Sequence, residues 1–114
     1  MKALSVRQPF ASQIASGEKT VELRSWSTKF RGPLLIVASA RPGPDKDLRR
    51  GGTVCVVDVV DVVEATRQHF ADACCPLERG EQPTGYAWLL SKPRHVTFLA
   101  VKGKLGLYNF DGDL

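Results

Sequence analysis

The sequence predicts a mixed α/β, mainly β fold: a small β-barrel, or a strongly bent sheet, of five or six strands with one or two short helices. Three observations lead there. Short runs rich in Val, Ile and Leu recur along the chain, separated by clusters of Gly, Pro and charge. The chain has 114 residues with 43% hydrophobic and 25% charged residues, which reads as one globular domain over 1–114 with one modest core. Strands this rich in valine would leave adhesive edges in a flat sheet, and closure removes them.

The elements follow in order. "ALSV" (3–6) reads as a short strand, and "RQPF" then opens a helix with Pro9 in its first turn, where a missing N–H costs nothing. Phe10 and Ile14 share one face of that helix, with Ala11 and Ala15 beside them, and Gly17 stops it after about eight residues. "KTVELRSW" (19–26) alternates as a strand, which places Glu22, Arg24 and Trp26 on one face and Val21 and Leu23 on the other. "LLIVASA" (34–40) is an unbroken apolar run, as a strand buried on both faces would be. "RPGPDKDLRRGG" (41–52) is a loop, with room for a helical turn around 45–50. "TVCVVDVVDVVEA" (53–65) is the longest strand, and its acids recur every three residues, which predicts a bulge near Val59–Asp61. "TRQHFADACC" is a second helical segment, "PLERGEQPTG" a loop, "YAWLLSKPRHV" (86–96) a strand turning at Pro93, and "LGLYNFD" (105–111) the last strand.

Several function classes drop out. Charge interrupts every apolar run well before about 18 residues, so no segment spans a membrane. The first residues, "MKALSVRQPF", are not a secretory signal, and the expected compartment is the cytoplasm. Three cysteines without a CxxC, and two scattered histidines, offer no metal site; no cofactor is expected either. The thiols read as reduced, Cys55 within a strand and Cys74–Cys75 at a loop or helix end.

Charge is informative once it is located. Residues 1–31 carry six basic residues against two acidic ones, while residues 32–114 carry ten of each, so the whole excess of +4 lies in the first quarter. A local positive field favours an anionic partner, of which nucleic acid is the commonest. Three stretches supply the chemistry. In "SVRQP", Arg7 and Gln8 stand between the first strand and the helix, where backbone N–H groups and a guanidinium can hold an anion. In "GEKTVELRSW", Lys19 can reach a phosphate or a helix carbonyl. Glu22 either orients Arg24 or accepts from a base amino group, Ser25 donates at the rim, and Trp26 is a stacking surface or a wall. In "VKGKLGLYNF", Lys102 and Lys104 flank a glycine and suit a phosphate backbone. Ser39, ending its strand, can face the same cleft.

With these residues in place, the chain resembles the ASCH (activating signal cointegrator homology) family. Its G-x-K-x-x-E-x-R signature is matched by Gly17, Lys19, Glu22 and Arg24, flanked by "RQP", "SW", "RGPLLI" and "VKGKLGLY". The resemblance covers nearly the whole chain and is weakest over 41–52 and 66–82. It implies a PUA-like β-barrel, a cleft between barrel and helix lined by the signature, and RNA or other nucleic-acid binding. It also implies a second reading, because some relatives are small hydrolases of acetylated cytidine and others ribonucleases. The hydrolase pattern places a threonine nucleophile three residues after the lysine, where this chain has Glu22; Thr20 is adjacent to Lys19 and faces away from it on a strand. As an enzyme the chain would have to use Lys19, Glu22 and Thr20, and neither Glu64 nor Glu78 aligns as the acid.

Overall fold

A computed structural model describes all residues, 1–114. Six strands form one sheet: β1 (Lys2–Val6), β2 (Val21–Arg24), β3 (Gly32–Ala38), β4 (Gly52–Glu64), β5 (Tyr86–His95) and β6 (Leu107–Asn109). Two short helices, α1 (Phe10–Ser16) and α2 (Arg67–Asp72), complete it. The strand order is β2-β5-β4-β3-β1-β6, with β1 and β3 parallel and every other pair antiparallel. The sheet curls into a half-barrel around α1, which packs on β3, β4 and β5. No helix is long and apolar enough to cross a membrane.

Alternation along the central strands sorts the core. Leu4 and Val6 of β1, Leu34, Ile36 and Ala38 of β3, and Cys55, Val57 and Val59 of β4 face α1, where Ala11 and Ile14 meet them. Ala3, Leu35, Val37 and Val56 point the other way, onto Tyr108 of β6. The apolar run in β3 is therefore buried on both faces, as its lack of alternation predicts. A third, smaller cluster joins Val21, Ala87 and Ala73 under α2. β4 is as long as expected, and its register against β5 slips between Val59 and Asp61, the predicted bulge, leaving Val60 exposed.

Two sequence expectations need correction, at Pro9 and at β2. Pro9 is the N-cap of α1 rather than a first-turn residue. β5 runs from Tyr86 to His95, close to the expected 86–96, and is irregular where the turn was expected: Lys92 has φ 52°, and a second register slip opposite Val57 gives Pro93, which lacks an N–H, a place outside the ladder. The 41–52 segment is a loop as expected, with one hydrogen-bonded turn in which the Leu48 N–H donates to the Asp45 carbonyl at 3.3 Å, and it folds around the Arg50 side chain. β2 is only four residues long, so Lys19, Thr20, Ser25 and Trp26 lie outside it and strand alternation places only Glu22 and Arg24 together. Gly17 does stop α1, in the left-handed region at φ 86°, with its N–H donating to the Ile14 carbonyl at 3.1 Å.

Burial gives the core a testable pH response. Cys55 is fully buried in β4, and loss of hydration pushes its thiol from 9.0 up to about 11, partly offset by the positive charge of Arg94. The folded state then holds a proton that the unfolded chain releases. Stability is complete below about pH 9 and falls as pH rises toward 11, by about 2 kcal/mol. Urea unfolding between pH 8 and 11 should show this fall, and Cys55→Ala should reduce it. Equal pH slopes for the two proteins would refute the assignment.

Candidate nucleic-acid interface

The inner face of the edge strand β2 carries the polar centre. Glu22 lies opposite Trp88 of β5 and Arg24 opposite Tyr86, so both side chains point into the curl of the sheet rather than to solvent. Glu22 is 7% exposed and Lys19 3% exposed, so their charges need partners. The Lys19 Nζ lies 3.4 Å from Oε1 of Glu22 and donates to the Ala73 carbonyl at 2.7 Å. That carbonyl ends α2, where helix carbonyls lack intrahelical donors, so the lysine caps α2. The ammonium also stands 4.9 Å from the centre of the Phe10 ring. On the other side, Arg24 donates to Oε2 of Glu22 from Nε at 3.1 Å and from Nη2 at 2.8 Å. Nη2 also donates to the Ser5 carbonyl at 2.9 Å, while Nη1 makes no bond within the protein. Glu22 thus sits between two cations and fixes both.

The Arg24–Ser5 bond crosses an opening in the sheet. β2 ends one side of the strand order and has no strand partner beyond it, while β1 lies near the other end. Above this seam opens a cleft of about 380 Å³, within the range of ligand sites. Arg7, Lys19, Arg24 and Arg41 line it against the single carboxylate of Glu22. Ser39 reaches the cleft because its N–H extends the β1–β3 pairing to the Val6 carbonyl at 2.9 Å. Lys102 and Lys104 line an adjoining groove of about 460 Å³ that shares Ser5, Ser39, Arg41 and Leu105 with the cleft.

Seven of the ten candidate binding residues therefore gather here: Arg7, Lys19, Glu22, Arg24 and Ser39 in the cleft, with Lys102 and Lys104 beside it. Three do not. Gln8 is buried, accepting from the Ser12 N–H and donating to the Arg49 carbonyl, both at 3.0 Å, which ties the 41–52 loop to the start of α1. Trp26 packs edge-on against Trp88, ring centres 4.9 Å apart, and its carbonyl receives the Trp88 indole N–H at 3.4 Å. Ser25 is exposed and lines a neighbouring depression. Thr20 lies outside the cleft lining; its N–H is taken by the Asp72 carbonyl and its own carbonyl by Leu90.

Sequence reading missed Ser5, Phe10, Arg41, Cys75 and Leu105 as cleft residues. Arg41 had a signal, since it follows Ser39 by two at the end of a buried strand. Leu105 had none: it is 99% exposed at the lip, set there by a loop whose path local pattern does not encode. Arg50 holds the Arg41 segment in place by donating to the carbonyls of Arg41, Asp45 and Leu48 at 3.2, 2.7 and 3.1 Å.

Comparison with known proteins agrees with this architecture. Residues 4–100 match the family model for the ASCH domain. The human and mouse proteins named activating signal cointegrator 1 are 29% and 28% identical to the chain and are matched by 97% of it. The chain spans 22% of the length of either. The crystal structure of ASCH from Zymomonas mobilis superposes with a TM-score of 0.70 at 15% identity, covering 96% of this chain and 87% of that one. A single-residue variant of the same bacterial protein gives 0.69 at 15% identity, covering 96% and 89%. The match over residues 4–100 takes in five of the six strands, both helices and most of the cleft, and the chain belongs to the ASCH domain family.

Proposed function

We propose that this domain binds single-stranded RNA in the cleft above Glu22, without turning it over. The observation that carries this reading is the collection of Arg7, Arg24 and Arg41 around one cleft, continued by Lys102 and Lys104, with Glu22 as the only carboxylate. Arg24 is held in a fixed orientation with Nη1 free, ready for a phosphate or a base oxygen. Arg7, Lys102 and Lys104 are exposed and supply charge without reading sequence. Glu22 works by orienting Arg24, since each of its oxygens already has a cationic partner.

Binding is favoured over hydrolysis because the motif's amine is committed to Ala73 and Glu22, and Thr20 lies off the cleft lining. Salt tests the reading directly. With four or five phosphates neutralised, the log–log dependence of affinity on salt should have a slope of about −3. Fluorescence polarisation with a labelled RNA across a salt series measures it. A slope near zero would remove the electrostatic basis of the proposal.

A further inference from the structure

The cleft does not end at Arg24. A depression of about 360 Å³ shares Leu23 and Arg24 with it and continues to Ser25, Phe70 and Thr84. A further one of about 310 Å³ shares Ser25, Thr84 and Gly85 with that depression and runs on to Glu64 and Tyr86. On the opposite side lies the groove of Lys102 and Lys104, joined to the cleft through four common residues. Four concavities thus follow one another along the free edge of β2 and across the seam.

Resting on the RNA reading above, we infer that the domain takes a run of several nucleotides threaded from Lys102 past Arg24 to Phe70, not a single nucleoside. The track has two chemically different arms. The arm at Lys102, Lys104 and Arg41 is cationic and holds phosphates. Beyond Arg24 the lining contains no basic residue; it offers hydroxyls at Ser25 and Thr84 and the rings of Phe70 and Tyr86, with the one carboxylate, Glu64, at its far end. Phe70 is half-buried and belongs to none of the three packed clusters, so no core demand accounts for an aromatic at that place. A ring face beside a polar groove is a surface on which any base can stack. Gly85 lets the wall approach: its φ is +79°, and a Cβ there would lie 2.7 Å from the Arg24 carbonyl oxygen.

Oligouridylates of three and nine nucleotides, labelled and titrated at one fixed low salt concentration, test the inference. The nonamer should bind more than about thirtyfold tighter than the trimer, the gain expected from two stacked or hydroxyl-bound nucleotides. Phe70→Ala and Thr84→Glu should each cut that gain severalfold and leave trimer affinity unchanged, the remainder coming from phosphates on the Lys102 arm. Thr84 is exposed, so its variant keeps the test valid even if the helix variant folds poorly. Equal binding of trimer and nonamer overturns the extended track while the cleft reading stands. A length gain undiminished by both substitutions overturns the path past Phe70. Absence of binding at both lengths overturns the track together with the RNA reading beneath it.

Discussion

Glu22→Ala should lower the free energy of unfolding by about 3–5 kcal/mol, a large share of the stability of a domain this size. The cost does not come from losing an attraction at the surface. Lys19 is 3% exposed, and without Glu22 its charge keeps only a neutral carbonyl and the face of Phe10. A buried cation without a counter-charge costs far more than an exposed ion pair contributes. The double variant Lys19→Met/Glu22→Gln should regain part of the loss, since the buried lysine charge is gone while the Ala73 carbonyl still lacks its donor. RNA affinity should stay low in both proteins, because Arg24 is then no longer held by a carboxylate. Urea unfolding and polarisation on the same preparations separate the two effects. A single variant within about 1 kcal/mol of the parent would show that Lys19 is solvated after all.

Trp88→Ala should be as damaging, at about 3–5 kcal/mol. Trp88 is fully buried at the centre of the main cluster and faces Glu22 across the β2–β5 ladder. Removing it leaves a void beneath the polar centre and takes away the edge-on partner of Trp26. Trp26→Ala makes the instructive contrast. Its ring is half-buried and does not line the cleft, so that substitution should cost less stability and leave RNA affinity unchanged. A large loss of affinity from Trp26→Ala in a folded protein would restore the stacking role that its spacing in the sequence suggests.

These two tryptophans show where the sequence could be read and where it could not. The strands, the two helices and the bulge in β4 follow from local alternation and spacing, which short-range sterics dictate. The cation–carboxylate cluster was visible because its members lie within six residues of one another. Trp26 was misplaced because β2 ends two residues earlier than its alternation suggests; past Arg24 the chain turns, and strand parity no longer predicts direction. Gln8 looked like a rim donor because nothing local reveals its buried partner, the Arg49 carbonyl, 41 residues away. Arg41 and Leu105 enter the cleft from opposite halves of the chain, and only the β3–β1–β6 order brings them together. Tertiary proximity of this kind leaves no periodic trace.

The carbonyl of Ser5 and the guanidinium of Arg24 are what span the gap between the outer strand and the far side of the curl. A ladder of main-chain bonds would lock that gap, whereas one side chain makes its width depend on whatever else the guanidinium grips. Any guest that engages Arg24 is therefore felt by the shell itself. Heat resistance should climb with guest concentration, and amide protons of Ser5 and its neighbours should exchange more slowly once the site is filled.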